Sequence, residues 1–408
     1  MLVARNENGD WFSLIHKTNR DQLLEERKSK SFFCPVCGEK LLLKLGEKNC
    51  FHFSHYKDSQ CYLQSEPETP AHVQGKKDIY SWLRKEDENP ILEFYHESIQ
   101  QRADVGVSRF PQKLAFEFQC STIPASTLIE RDNGYRSNNV LPLWVWNRTR
   151  LKRLGNHLYH LSPLEWLTRR FPFSHPPHNR YHRQKGFLTF YDPEEKSLTF
   201  LYHMLPFNTR KLWAESLTLP LSELSLHTFL YPPIILNSNP TWSSAFLKQK
   251  KKWRTAFIHR SQHFEWHLQR LSESKGVIWK AFPGVVGNPL ADDLVIETPI
   301  YLWQGWLCLT FLLHKKRGDL LVISDIKQAF MKLIERHWVN IRRKEHQDEA
   351  WSLVMAYING LEAIHLLEQS DSRAYVIKET LQWGSPFFDE LVLDDTRVLC
   401  QWNKLVIR

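Results

Sequence analysis

The chain has 408 residues, a formal net charge of +9 and a sequence pI near 9.1, so it exceeds the roughly 250–300 residues at which one hydrophobic core stops growing, and two to three domains are expected. Its hydrophobic fraction of 42% is that of a globular protein, and no stretch reaches the ~20 apolar residues of a membrane span. The positive charge suits a polyanionic partner without identifying one, and the 16 Trp, 24 Phe and 13 Tyr fit stacking on unpaired bases as well as a large aromatic core. Met1 to Ile15 alternates charged and apolar residues and lacks the apolar stretch of a signal peptide, so a cytosolic protein is expected. Cys34, Cys37, Cys50 and Cys61 crowd into one segment while Cys120, Cys308 and Cys400 stand apart. In a chain without a secretory signal, such an uneven set points to reduced thiols, some of them metal ligands.

In chain order, Met1–Arg5 and Trp11–His16 read as a strand pair about the turn 6–10, followed by a polar helix up to residue 30. Phe32 to Cys61 holds the knuckle Cys34-Pro-Val-Cys37, an apolar strand Leu41–Leu45, a turn at Gly46 and Phe51-His-Phe-Ser-His55. A helix begins at Thr69 as N-cap with Pro70 as its first residue and stops before Asn89-Pro90. Three strands are predicted at Ile91–Glu97, Gln101–Val107 and Lys113–Ser121, then a helix around Ser126–Tyr135 and an apolar strand Leu141–Asn147. Three strands and a helical crossover to a fourth make a mixed sheet flanked by helices, an α/β (α+β) arrangement.

Beyond Arg150 the signal fades. Residues 171–183 form a proline- and histidine-rich loop, and Gly186–Tyr191 with Ser197–His203 reads as a hairpin. Thr241–Leu271 reads as one basic helix carrying Lys248, Lys250, Lys251, Lys252, Arg254, His259 and Arg260, either a nucleic-acid contact or a solvated charged face. Helices are expected over Asp325–Glu345 and His346–Glu368, with strand at Leu294–Glu297, Tyr301–Leu313 and Thr396–Arg408. The domains are therefore placed at 1–62, 63–204 and 205–408, the last mainly helical.

Two constellations carry chemistry. Cys34, Cys37, His52 and His55 supply four sulfur and nitrogen donors, the number that a tetrahedral Zn²⁺ needs. The short His-x2-His spacing leaves Cys61 or Cys50 as alternatives for one histidine, and with four protein ligands such a metal is structural. The second is acidic. Asp104 stands near the start of one strand, while Glu117 and Gln119, two apart, share a face of the next. Hard oxygen donors of this kind suit Mg²⁺ or Mn²⁺ and metal-assisted hydrolysis of a phosphodiester. Glu68 is a further candidate acid, although an acid beside a helix N-terminus also stabilises the macrodipole. His72 and Lys76 lie four and eight residues beyond it, and Arg131 and Tyr135 are also four apart. These two pairs are candidate nucleic-acid contacts, against the plainer reading of a polar helix face and a packed tyrosine. Neither a phosphate-binding Gly-x4-Gly-Lys-Ser loop nor a dinucleotide fingerprint is present.

Taken as an ordered set, Cys34-Pro-Val-Cys37, His52-Phe-Ser-His55, Glu68-x3-His72-x3-Lys76, Arg102-Ala-Asp104-Val, Glu117-Phe-Gln119-x-Ser121 and Glu130-Arg131-x3-Tyr135 resemble the competence protein CoiA family of naturally transformable Gram-positive bacteria. The resemblance covers residues 1 to about 150. It implies a restriction-endonuclease-like PD-(D/E)xK core behind an N-terminal zinc-ribbon-like module. It also implies a role in genetic transformation, with single-stranded DNA and the recombination machinery as partners. Asp104 and Glu117 would match the acidic metal ligands, Glu68 the helical acid, and Arg131 with Tyr135 a motif of RecB-like nucleases. Gln119 stands where that motif carries lysine, so a fold kept for binding DNA or a recombination protein without cleavage is the alternative.

Overall fold

The structure is a computed structural model that describes residues 1–46, 51–61, 69–86, 88–108, 112–170, 186–233, 241–259, 263–290, 295–343 and 346–406. The chain divides into two compact units, one formed by 1–151, 188–201 and 216–232, the other by 152–187, 202–215 and 233–408. The cysteine-rich segment and the acidic strands lie in the first unit, and 152–187 goes with the C-terminal part.

In the first unit, β1 (Val3–Asn6), β2 (Trp11–Ser13), β3 (Phe32–Phe33), β4 (Lys40–Lys44) and β5 (His52–His55) form an antiparallel sheet in the order β2-β1-β3-β4-β5. Its buried face is sealed by Phe12, Phe32 and Phe53, whose ring centroids lie 4.8 to 6.1 Å apart, a spacing at which tilted aromatic pairs add to plain burial. Helix α1 (Arg20–Ser29) is N-capped by Asn19, which accepts from the Gln22 N–H at 3.1 Å.

Helix α2 (Pro70–Lys85) starts as expected, with Thr69 Oγ1 accepting from the His72 N–H at 3.2 Å and Pro70 in the first turn, where no N–H is required. It buries Val73, Gly75, Lys76, Ile79, Trp82 and Leu83. A Cβ at Gly75 would come 2.1 Å from Phe118 Cε1, so this glycine permits the close approach of α2 to the sheet. Gly75→Ala is expected to lower stability by about 1–3 kcal/mol, as overpacking does, despite the higher helix propensity of alanine; a thermal melt at or above wild type would contradict this.

The second sheet of this unit runs β13-β12-β11-β10-β9-β6, where β6 is Pro90–Leu92, β7 Tyr95–His96, β8 Gln101–Arg102, β9 Val105–Ser108, β10 Lys113–Gln119, β11 Val140–Asn147, β12 Leu188–Asp192 and β13 Ser197–Pro206. β10 pairs parallel with β11, and β11 with β12, while the other pairs are antiparallel. Helix α3 (Ala125–Ser137) makes the crossover from β10 to β11. Two predicted strands are each broken. Ile91–Glu97 is interrupted at Glu93, which takes a left-handed φ of 53°, and Gln101–Val107 is interrupted at Ala103 and Asp104. Both interruptions lie in the acidic site.

In the second unit, a hairpin of Lys152–Gly155 and Leu158–His160 pairs with the start of Lys211–Pro220. The predicted basic helix is two helices, α4 (Thr241–Thr255) and α5 (His263–Ser274). Tyr301–Leu313 is not strand but α6 (Ile300–Leu307) running into a π-helix over Cys308–Leu312, and Thr396–Arg408 belongs to the helix Phe388–Val406. A continuous apolar run does not distinguish a buried strand from a buried helix by period, which accounts for the first of these corrections. The predicted helices to Glu345 and Glu368 end earlier, as Ile323–Glu335 and Gln347–Ala363, and of the predicted strand at 294–297 only the bridge Ile296 to Ile341 is described. Among the described residues, no helix is long and apolar enough to cross a membrane.

Candidate active site and metal centre

The register of β9 and β10 sets the acidic site. The ladder ends at Val105 opposite Phe116, and the next residue of each chain segment, Asp104 and Glu117, is brought close enough for their charges to interact. Asp104 Oδ2 accepts from the Phe118 N–H at 2.8 Å and lies 3.1 Å from His72 Nε2, while Lys76 Nζ is 4.0 Å from Oδ1. Burial works against ionisation of Asp104, but His72, Lys76 and the Phe118 amide outweigh it and hold the carboxyl well below the usual carboxylate range. Glu117 is shifted the other way. Burial pushes it up and the neighbouring Asp104 charge adds to this, with Arg131 and Tyr135 opposing. The two carboxyls therefore have environments that separate their acidities.

Arg131 Nη2 donates to Glu117 Oε1 at 2.6 Å and Tyr135 Oη to the same oxygen at 2.5 Å. Tyr135 is fully buried, so the predicted stacking of this tyrosine on a base does not occur in this arrangement. Arg131 and Tyr135 hold an acid instead of a phosphate. The i, i+4 spacing on α3 correctly put them on one face, but that face looks into the sheet. Lys76 is likewise no surface contact: it is 1% exposed and its Nζ donates to Glu93 Oε1 at 2.7 Å. Gln119 Nε2 donates to Ser121 O and Oγ at 3.1 Å each, and among the described residues its amide oxygen accepts no hydrogen bond. Glu68 lies outside the described residues.

Glu93 was not singled out by sequence. Its carboxylate accepts from the Leu2 and Val3 N–H groups at 2.9 and 3.3 Å as well as from Lys76, tying β1 to α2 behind Asp104. A lone acid inside the run Ile91-Leu-Glu-Phe94 was the signal, since a buried carboxylate needs a cation and donors of its own. Its left-handed backbone, costly for a residue with a Cβ, ends β6 and turns the chain into the site.

The residues fit a divalent cation. Among the described residues, Asp104 Oδ1 and Glu117 Oε2 accept no hydrogen bond, so each acid keeps one oxygen available, and the burial and the neighbouring like charge that push Glu117 up are what a cation offsets. Two carboxylates with water and substrate oxygens are a usual Mg²⁺ set.

The cysteine-rich segment makes a second centre. Cys34 Sγ, Cys37 Sγ, a His55 ring nitrogen and Cys61 Sγ all lie within 4.8 Å of one another, and Cys37 Sγ is 3.4 Å from His55 Nε2. This Cys₃His cluster can hold a metal ion. The knuckle is shaped by Gly38, at φ +74°, whose N–H donates to Cys34 O, and by the Val36 N–H directed at Cys34 Sγ. Glu39 draws the following loop back by accepting from Ser59 Oγ and the Gln60 N–H, which delivers Cys61. His52 is not in the group. On strand β5, residues 52 and 55 are three apart and so project to opposite faces, and only one of them can face the thiols. Cys50 lies outside the described residues. Burial is the main cause that raises the Cys34 and Cys37 thiols, an effect that a bound cation reverses.

Residues 68–233 match the family described as competence protein CoiA, nuclease-like domain, with residues 15–64 and 242–384 matching its N-terminal and C-terminal domains. The competence protein CoiA of Bacillus subtilis (strain 168) is 30% identical over 363 residues, which cover 87% of this chain and 92% of that protein. The chain belongs to the competence protein CoiA family. No solved structure matches it. The CoiA match reaches residue 384, well past the first 150 residues that carry the motif resemblance. All of the described acidic-site residues, on α2, β10 and α3 and just before β9, fall within the nuclease-like CoiA domain, and the Cys₃His cluster falls within the CoiA N-terminal domain.

Proposed function

We propose that this protein acts in the cytosol on DNA imported during genetic transformation, processing it or passing it to the recombination machinery. In this reading the nuclease-like domain is a restriction-endonuclease-like PD-(D/E)xK core that hydrolyses phosphodiesters. The observation that carries it is the neighbouring pair Asp104, half-buried, and Glu117, buried, each oriented by its own cation and each with one oxygen accepting no hydrogen bond among the described residues. A bound Mg²⁺ or Mn²⁺ would supply Lewis acidity and a more acidic water. His72, Lys76 and the Phe118 amide keep Asp104 ionised, while Arg131 and Tyr135 fix the orientation of Glu117. Gln119, with its amide nitrogen held by Ser121, offers its oxygen as acceptor to the attacking water but brings no charge. Lys76 supplies the positive charge that Gln119 lacks, and Glu68, immediately before the N-cap of α2, is the candidate third acid.

The second reading, a factor that binds single-stranded DNA or a recombination protein without cutting, is favoured by one observation, the neutral Gln119. Labelled single- and double-stranded DNA incubated with the protein in Mg²⁺, Mn²⁺ or chelator separates the two. Cleavage in metal but not in chelator is expected; binding without cleavage under every condition would establish the second reading instead.

We further propose that the Cys₃His cluster holds a structural zinc, closed by four protein ligands. Cys61→Ser is expected to reduce bound zinc severalfold and His52→Ala to leave it at wild-type stoichiometry, as measured by elemental analysis of the purified protein. Loss of zinc on His52→Ala with retention on Cys61→Ser would invert the ligand assignment.

A further inference from the structure

The second unit carries a cleft of about 500 Å³ between the strands of residues 154–159 and 207–213 and helix α4. Ser244, Lys248 and Lys252 line it from successive turns of α4, and Lys211 faces them from the strand side. No acidic residue lines the cleft, and among the described residues Lys211, Lys248 and Lys252 have no ion pair. Of the other cations on this helix, Lys250 and Arg254 are buried and bound to Asp395, and Lys251 is exposed and does not line the cleft. The basic run is therefore sorted by the fold into two buried anchors and a row of exposed ammonium groups directed at a concavity. At its rim, the exposed ring of His157 stacks on buried Trp213, with centroids 5.3 Å apart and planes at 23°. His157 takes a left-handed φ of 57°, an uncommon backbone for a residue with a Cβ.

We infer that this cleft is a binding site for single-stranded nucleic acid, with phosphates on Lys211, Lys248 and Lys252 and an unpaired base stacked on the outer face of His157. Like charges gathered without a carboxylate repel one another, and a polyanion relieves that repulsion while releasing its counterions. A ring backed by a second ring is a rigid platform with one open π-face, which a base fills without regard to sequence. The volume, in the range of small-ligand pockets, admits a nucleotide or two of a single strand and excludes a duplex. The site shares no residue with the acidic centre, so it stands whether or not that centre cuts.

Fluorescence anisotropy of the full-length protein with labelled oligothymidylate and with a duplex of the same length, in chelator so that no cleavage occurs, tests this. The triple variant Lys211→Gln, Lys248→Gln, Lys252→Gln is expected to bind the single strand about 30-fold or more weakly at 150 mM salt. Its salt slope should be shallower by about 2, from ~0.7 per phosphate contact on single strands. His157→Ala is expected to weaken binding about fivefold or more with the slope unchanged. A control triple, Lys28→Gln, Lys57→Gln, Lys332→Gln, removes the same charge elsewhere. Equal losses in the two triples, or duplex bound as tightly as the single strand, would overturn the inference. A photoreactive thymidine oligonucleotide on the unmodified protein gives an independent reading, with crosslinks expected in the peptides containing His157 and residues 244–252 and their absence there counting against the site.

Discussion

If the protein cleaves DNA as proposed, Asp104→Asn is expected to lower metal-dependent cleavage by at least about 10³-fold while leaving the protein folded. The substitution is isosteric, so the amide oxygen still accepts from the Phe118 N–H, now 2.8 Å from Oδ2. Lys76 keeps its shorter contact, Glu93 at 2.7 Å. What disappears is the negative charge of one of the two acids available to a cation, and electrostatic stabilisation of this kind amounts to several kcal/mol in the transition state. Tyr135→Phe supplies the graded comparison. It deletes one of the two hydrogen bonds to Glu117 Oε1 and leaves the Arg131 contact, so a loss of about 3- to 10-fold is expected, in line with ~0.5–1.5 kcal/mol for one hydrogen bond. The measurement is the initial rate of oligonucleotide cleavage in Mg²⁺ or Mn²⁺, with the melting temperature as the control for folding. Cleavage surviving in Asp104→Asn would remove this carboxylate from the chemistry.

In the second unit, Asp395→Ala is expected to cost about 3–5 kcal/mol of stability, the effect of deleting one member of a buried ion network. Arg254 donates to both Asp395 oxygens at 3.0 and 2.7 Å, and Lys250 Nζ lies 3.1 Å from Oδ1 while also donating to Gly284 O at 2.6 Å and Asn288 Oδ1 at 2.9 Å. Truncation leaves two buried cations facing each other. For a unit of this size the melting temperature should fall by roughly 10 °C, which differential scanning calorimetry would resolve. A shift within 2 °C would show that water reaches and screens the pair.

Lys250→Met gives the pH counterpart. Burial is the main cause that lowers the Lys250 ammonium to about 8, with Asp395 opposing and Arg254 adding to it. Its unfolded value is about 10.4. The folded state thus loses the proton first as pH rises, so the lysine's contribution to stability increases between pH 8 and about 10.4 and is constant below that window. Wild type should gain on Lys250→Met across this window in denaturant titrations, and a gap that stays constant or moves the other way would contradict the shift.

Much of the first unit was legible because its signals are local. Thr69 and Pro70 mark a helix start through hydrogen bonds made within one turn, and period-two spacing put Glu117 and Gln119 on one face whatever lay beyond. Cys34 and Cys37 needed only the knuckle between them. Harder to read were positions whose partners are distant in the chain. Glu93 depends on Leu2, Val3 and Lys76, and Cys61 reaches the thiols only because Glu39 holds its loop. The assignment of His52 failed for a local reason that spacing could have exposed, since residues three apart on a strand cannot face one centre. The helix at Ile300–Leu307 was misread as strand because a buried apolar run has no polar face to reveal its period.

By itself, then, the sequence determined the ordered motifs of the CoiA family, the neighbouring acids Asp104 and Glu117 and the thiols of a cluster that can hold a metal ion, since each follows from residue type and short spacing. Only the tertiary structure decided what surrounds them. It turned Arg131, Tyr135 and Lys76 inward as partners of buried acids, chose Cys61 over His52, and separated Lys250 and Arg254 from Lys248 and Lys252 on one helix. The physical reason is common to all of these: a buried charge or thiol is tolerated only where long-range packing brings its counterpart within hydrogen-bonding reach, and that proximity is not encoded in any local window.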